Sequence, residues 1–167
     1  MGSLTVDARM PRAQRLRMQA ELRERLRDYR FSHFITLASN FQSISSQRMR
    51  ELLKAWDAKV NREINGPKWA KRPDERLLWF AFPEKLEVNS HWHLIAQVDW
   101  PIEEKARAER AMRLPQIGEK HWLRLVERGS YDCQDVESPR VIDYVTKMTN
   151  REDLLARFIV CREFMNI

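Results

Sequence analysis

The hydrophobic positions of this chain switch between helical and strand spacing, and each switch marks an element. Leu22, Leu26 and Tyr29 recur at i, i+4 and i+7, with Met18 extending the stripe. Residues 12 to about 30 therefore read as a helix whose remaining faces are rich in arginine. Residues 31–38 are β formers and read as a strand, ended by Ser39-Asn40. Ser45 or Ser46 is placed to cap a second helix, in which Met49, Leu52, Leu53, Trp56, Val60 and Ile64 form the clearest helical stripe. Gly66-Pro67 stops it. A basic, proline-marked connection over residues 68–74 leads to a near-continuous apolar run of strand length at 77–82. The chain then turns back into residues 90–98, a third strand, so 77–82 and 90–98 are expected to form an antiparallel hairpin. Residues 102–113 read as a charged helix ended by Leu114-Pro115, and 122–126 as a further strand. Ser138-Pro139 then opens a helix through Val141, Ile142, Tyr144, Val145 and Met148. Thr149-Asn150 breaks it, and Leu154, Leu155, Phe158 and Ile159 give a last packed segment.

This order predicts an α+β fold, a central, mainly antiparallel β-sheet with helices on one face. The covered face is the one carrying Trp92, Leu94 and Val98, and the other is left open for a site. The chain divides into a basic N-terminal helical arm, residues 1–30, and a main domain, residues 31–167.

Composition narrows the function classes. No apolar run reaches the roughly 18 residues needed to span a bilayer, and no hydrophobic signal segment follows the basic N-terminus. Cys133 and Cys161 have no Cys-x-x-Cys spacing, which points to a reducing, cytoplasmic setting and excludes a zinc ribbon. None of the four glycines sits in a phosphate-binding loop or a dinucleotide fingerprint. Between Arg9 and Arg30 eight arginines stand against Glu21, Glu24 and Asp28, a balance of +5 within a net charge of +6. Any docking surface for a polyanion is thus concentrated in the arm.

Two short patterns carry candidate chemistry. In residues 90–98 strand parity sends His91 and His93 to one face, and Trp92, Leu94, Ala96 and Val98 to the other. Two imidazoles side by side on a rigid strand form half of a divalent-metal site, although an isolated pair is more often surface decoration. Tyr144 and Lys147 lie one turn apart on a helix. A tyrosine hydroxyl titrates near 10, so only about one in a thousand is ionised at pH 7, and a cation beside it favours the phenolate. A metal that polarises a phosphodiester and a tyrosine that attacks it together describe covalent cleavage of DNA. Taken singly, Tyr144 reads as a half-buried core tyrosine and Lys147 as a solvated lysine.

Phe34-Ile35-Thr36-Leu37, His91-Trp92-His93 and Tyr144-Val145-Thr146-Lys147 resemble, in that order, the three motifs of the HUH endonucleases of the rolling-circle replication-initiator type. The resemblance covers roughly residues 31–150. It implies a sheet with the histidines on a middle strand and the nucleophile helix across the open face, a ferredoxin-like palm. It further implies nicking of single-stranded DNA at an origin or stem-loop, with Tyr144 as nucleophile and Lys147 as phosphate or phenolate stabiliser. A 5′-phosphotyrosyl link and a free 3′-hydroxyl would form and later be rejoined, with Mg2+ or Mn2+ held by His91 and His93. The third ligand is expected to be Glu84, with Glu87 second and His33 and His121 less favoured. Tyr144 follows the histidines, Ile95 stands where relaxases usually carry a third histidine, and Arg140 and Met148 occupy the positions four residues from Tyr144. The pattern is therefore that of a one-tyrosine enzyme.

DNA contacts are expected from Arg15, Arg23, Arg27 and Arg30 of the arm and from Lys68, Lys71 and Arg72, with Trp69 as a stacking platform. A host helicase or polymerase is a further partner that such an initiator would use, and no membrane is expected. The rival readings are a single-strand transposase of the same class, a catalytically silent DNA-binding module on the same fold, and a domain with a structural metal and a protein partner.

Overall fold

A computed structural model of the chain describes residues 10–40, 43–84, 89–98, 103–148 and 157–165. Five strands, β1 (His33–Ala38), β2 (Leu78–Glu84), β3 (His91–Gln97), β4 (Ser130–Asp135) and β5 (Ile159–Val160), form one sheet in the order β4-β1-β3-β2-β5. Every pairing is antiparallel. Among the described residues four α-helices accompany it: α1 (Arg12–Leu26), α2 (Ser46–Asn65), α3 (Glu104–Leu125) and α4 (Arg140–Met148). The fold is α+β, as the order of elements predicts, and β3 is the central strand.

Register assigns the two faces. Ile35 pairs with Leu94 and Leu37 with Trp92, while Ala81 pairs with Leu94, so these side chains share one face. That face carries α2 and α3, whose Trp56 and Trp122 are fully buried. The indole of Trp56 meets Trp79 edge-on at 6.3 Å and donates to the Gly118 carbonyl at 3.0 Å. The Trp122 indole donates to the Ala38 carbonyl at 3.2 Å. Beneath α2, Asp57 accepts from Arg76 at 2.5 Å, from the Trp79 indole at 2.8 Å and from Asn61 at 2.9 Å. This buried network ties the helix to the start of β2. Ser45 caps α2 through the Arg48 N–H, and Gly66 ends it at a φ of +84°, a backbone that suits glycine.

The third helix corrects two expectations. Leu114-Pro115 does not end it, and residues 122–126 are not a strand; one helix of 22 residues runs through both, and the next strand is β4. Leu114, Ile117, Gly118 and Trp122 recur at i, i+3, i+4 and i+8 and are all buried. That stripe, packed on α2, outweighs the roughly 3 kcal/mol that an interior proline costs. Pro115 has no N–H to donate to the Ala111 carbonyl, and the buried His33 ring lies near that carbonyl. Gly118 is needed where α3 passes β4, because a Cβ there would lie 2.1 Å from the Tyr131 hydroxyl. As an edge strand, β4 is polar and alternately exposed, so it lacks the apolar signal of the inner strands.

The opposite face bears Phe34, Thr36, Phe80, Phe82, His91, His93 and Ile95. Its α1 side closes over Phe80 through Tyr29 at 5.3 Å and Phe31 at 5.9 Å. The first helix ends at Leu26 rather than near residue 30, and of its apolar residues Leu26 is buried while Met18 and Leu16 are exposed. Cys133 and Cys161 lie at opposite edges of the sheet and are both free thiols. Among the described residues no helix is long and apolar enough to cross a membrane.

Candidate active site on the open face of the sheet

Sheet register brings the histidine strand and the end of β2 together. Glu84 lies directly opposite His91, and Phe82 and Thr36 flank His93 on its two sides. Cross-strand neighbours on one face stand about 4.5–5.5 Å apart, and diagonal ones are within reach of a long side chain. Glu84 uses that diagonal: its carboxylate lies 2.7 Å from His93 Nε2. The other ring nitrogen, Nδ1, lies 3.1 Å from Thr36 Oγ1. Phe34 stacks on the same imidazole, with centroids 5.3 Å apart and planes within 9°. His93 is thus buried and held from three sides, by residues of β1 and β2.

Over this cluster lies α4. Its buried side presents Ile142, Val145 and Thr146, while Tyr144 is half exposed. The Tyr144 ring stands edge-on to His93 at 6.0 Å and to Phe34 at 5.7 Å. Lys147 follows one turn later and is exposed. Tyr144, distant in sequence, is therefore brought to the second histidine and the preferred carboxylate, which the β2–β3 hairpin has already paired.

The first helix holds α4 there. Gln19 donates to the Thr146 carbonyl, and Arg23 Nε donates to Thr146 Oγ1 at 3.1 Å. Arg23 and Arg27 also reach the Asp143 carboxylate, at 3.3 and 3.8 Å. These partners sit on either side of Tyr144 in sequence. No pattern in the chain marks them, since the pairing joins two polar helix faces from the two ends of the protein.

Several expected residues lie elsewhere. Arg30 is exposed at the end of the α1–β1 connection, where its backbone N–H donates to Gln97 at 2.7 Å. Arg15 is partly buried on α1. Lys68, Trp69, Lys71 and Arg72 are not brought to Tyr144. The Trp69 ring carries the Arg76 guanidinium at 4.7 Å, just before the start of β2. Glu84 is at the other end of that strand, about 20 Å away at strand rise. His33 points to the helix-covered face, where burial pushes its pKa down, and His121 bonds to Glu63 at 2.8 Å. Glu87 lies outside the described residues. Tyr131 faces Gly118 under α3, which takes it out of consideration as an alternative nucleophile.

An imidazole and a carboxylate meet at His93 and Glu84, two donor types that divalent ions take. Among the described residues His91 Nε2 is buried without a hydrogen-bond partner, and Thr36 fixes one nitrogen of His93 while the other points at the Glu84 carboxylate. Metal-binding histidines are commonly oriented through such an outer bond. No three histidine, cysteine or carboxylate side chains among the described residues are close enough together to form a complete ligand set. Beside Tyr144 opens a hollow of about 700 Å3, walled by Phe34, Gln134, Ser138 and Arg140 among others. Comparison with protein-family models, with curated proteins and with solved structures finds no match for this chain.

Proposed function

We propose that this protein is a metal-dependent nickase of single-stranded DNA that works through one tyrosine, in the manner of the HUH replication initiators its motifs resemble. The observation that carries the reading is the meeting of Tyr144 with His93 and Glu84 on one sheet face. Chance matches to three short motifs would not be expected to converge in space.

In this reading Tyr144 Oη attacks a DNA phosphorus. A bond forms from Oη to phosphorus, the bond from phosphorus to the 3′-oxygen breaks, and the 3′-hydroxyl leaves with a proton. Reversal of the step rejoins strands. Half exposed beside the hollow, Tyr144 is reachable by a strand while its ring edge is steadied on Phe34 and His93. Lys147, one turn on, supplies positive charge toward the phosphate or the phenolate. Of the expected ligands His91, His93 and Glu84, the last two already meet and would be the first to engage an ion, with His91 joining only through a side-chain movement; the ion would polarise a non-bridging phosphate oxygen. The mixed imidazole and carboxylate set favours Mn2+ over Mg2+, which prefers oxygen ligands.

The test is incubation with a library of single-stranded and stem-loop oligonucleotides and Mn2+, scored for a denaturation-resistant protein–DNA adduct. The adduct is expected to vanish in Tyr144→Phe and to fall steeply in Glu84→Gln or with chelator. Salt-sensitive binding with no cleavage of any sequence would replace the nickase by a silent DNA-binding module on the same face.

A further inference from the structure

A second cavity lies next to the hollow that holds Tyr144. It measures about 550 Å3 and is bounded by the end of α1, the α1–β1 connection and the segment entering α4. Its walls are Tyr29, Phe31, Pro139 and Ile142, and its charged residues are Arg27, Arg30 and Glu137. Val136, Glu137, Ser138 and Val141 line both cavities, so the two adjoin along this segment. A cavity of this size, apolar in its walls with a few polar groups at its edge, falls within the range of about 300–1,000 Å3 usual for ligand sites.

We infer that this cavity takes one unpaired nucleotide of the DNA strand, its base against Tyr29 and its phosphate at Arg30. The Tyr29 wall, the Arg30 guanidinium and adjacency to the hollow beside Tyr144, rather than net charge, choose this occupant, since the exposed Glu137 stands at the same edge. The Arg27 guanidinium is engaged by Glu24 and Asp143, whereas the exposed side chain of Arg30 carries no ion pair among the described residues. An uncommitted guanidinium beside an aromatic wall matches a base joined to a phosphate, in contact and in charge. A strand lying on Tyr144 reaches it along the shared segment of Val136 and Ser138. The inference rests on the nickase reading and adds a place where one base is gripped close to the cleaved link. It also moves the stacking platform from Trp69, at the far end of β2, to Tyr29.

The test uses the full chain as Tyr144→Phe, which binds without cutting, and an oligonucleotide whose cleaved link has been located by adduct formation with the unaltered protein. An abasic site is moved along it one position at a time, and affinity is read by fluorescence anisotropy. One position within about three nucleotides of the link is expected to lose roughly 5- to 150-fold, the scale of one lost base–aromatic stack. That penalty should shrink in Tyr29→Leu, which keeps an apolar contact with Phe80, and overall affinity should fall in Arg30→Ala. A uniform abasic profile, or a penalty and affinity unchanged in both variants while the adduct still forms in the parent, overturns the pocket alone. Absence of both adduct and single-strand binding overturns the nickase reading and the pocket with it.

Discussion

Arg23 separates two physical roles for the arginine-rich helix. As a phosphate contact it would contribute to DNA affinity; in the structure it instead bonds Thr146 and Asp143 on the helix that carries Tyr144. A hydrogen bond from a charged donor contributes about 1.5–3 kcal/mol when shielded. Here the Arg23 side chain is 32% exposed and Asp143 54% exposed, so solvent screening trims both interactions. Thr146 Oγ1 keeps its own bond to the Ile142 carbonyl at 2.7 Å, so Arg23→Ala leaves no orphaned hydroxyl. The expected loss is about 1–2 kcal/mol, a fall in melting temperature of roughly 2–8 °C for a domain of this size. Urea and thermal unfolding followed by tryptophan fluorescence measure it. Single-strand affinity across a salt series supplies the second readout. A guanidinium spent on α4 leaves the slope of log K against log salt unchanged, whereas loss of a phosphate contact makes it shallower by about 0.7. A shallower slope with unchanged stability would refute the clamp and return Arg23 to the DNA surface. Adduct formation should also slow in the variant with little change in oligonucleotide affinity, because Tyr144 is less firmly placed.

Two further outcomes test the fold that supports the site. Asp57→Leu should cost about 3–5 kcal/mol, since it strands the buried Arg76 charge, and Asp57→Leu with Arg76→Met should recover much of that in urea titrations. His33 is buried with a lowered pKa, held mainly by loss of hydration, so the folded state favours its neutral ring. Its contribution is complete above the unfolded value of about 6.5 and is lost as pH falls toward and through the lower folded value. Melting temperature should therefore drop more between pH 7.5 and about 5 in the parent than in His33→Gln, and equal drops would sink this assignment.

Local periodicity carried much of the architecture. The stripe from Met49 to Ile64 is α2, the apolar runs on either side of residues 85–88 are paired strands, and Ser138-Pro139 leads into α4. Strand parity alone placed His91 and His93 on one face and Trp92 on the other, as the register has them. Parity could not say which neighbour stands opposite, and that choice decides the site. Glu84 reaches His93 because β2 pairs β3 with Glu84 opposite His91; a slip of one residue would turn it to the helix-covered face. Thr36 and Phe34 act on His93 for the same reason, through a partner strand that no spacing within the chain identifies. Pro115 and the polar β4 misled because tertiary packing outweighed local propensity in one case and edge exposure removed the apolar pattern in the other. By itself, then, the sequence singled out the candidate residues and the face of its own element on which each one lies. Their convergence, and the use of Arg23 to brace Tyr144's helix, were decided by the tertiary structure, because contacts between distant segments depend on register and packing that local spacing does not encode.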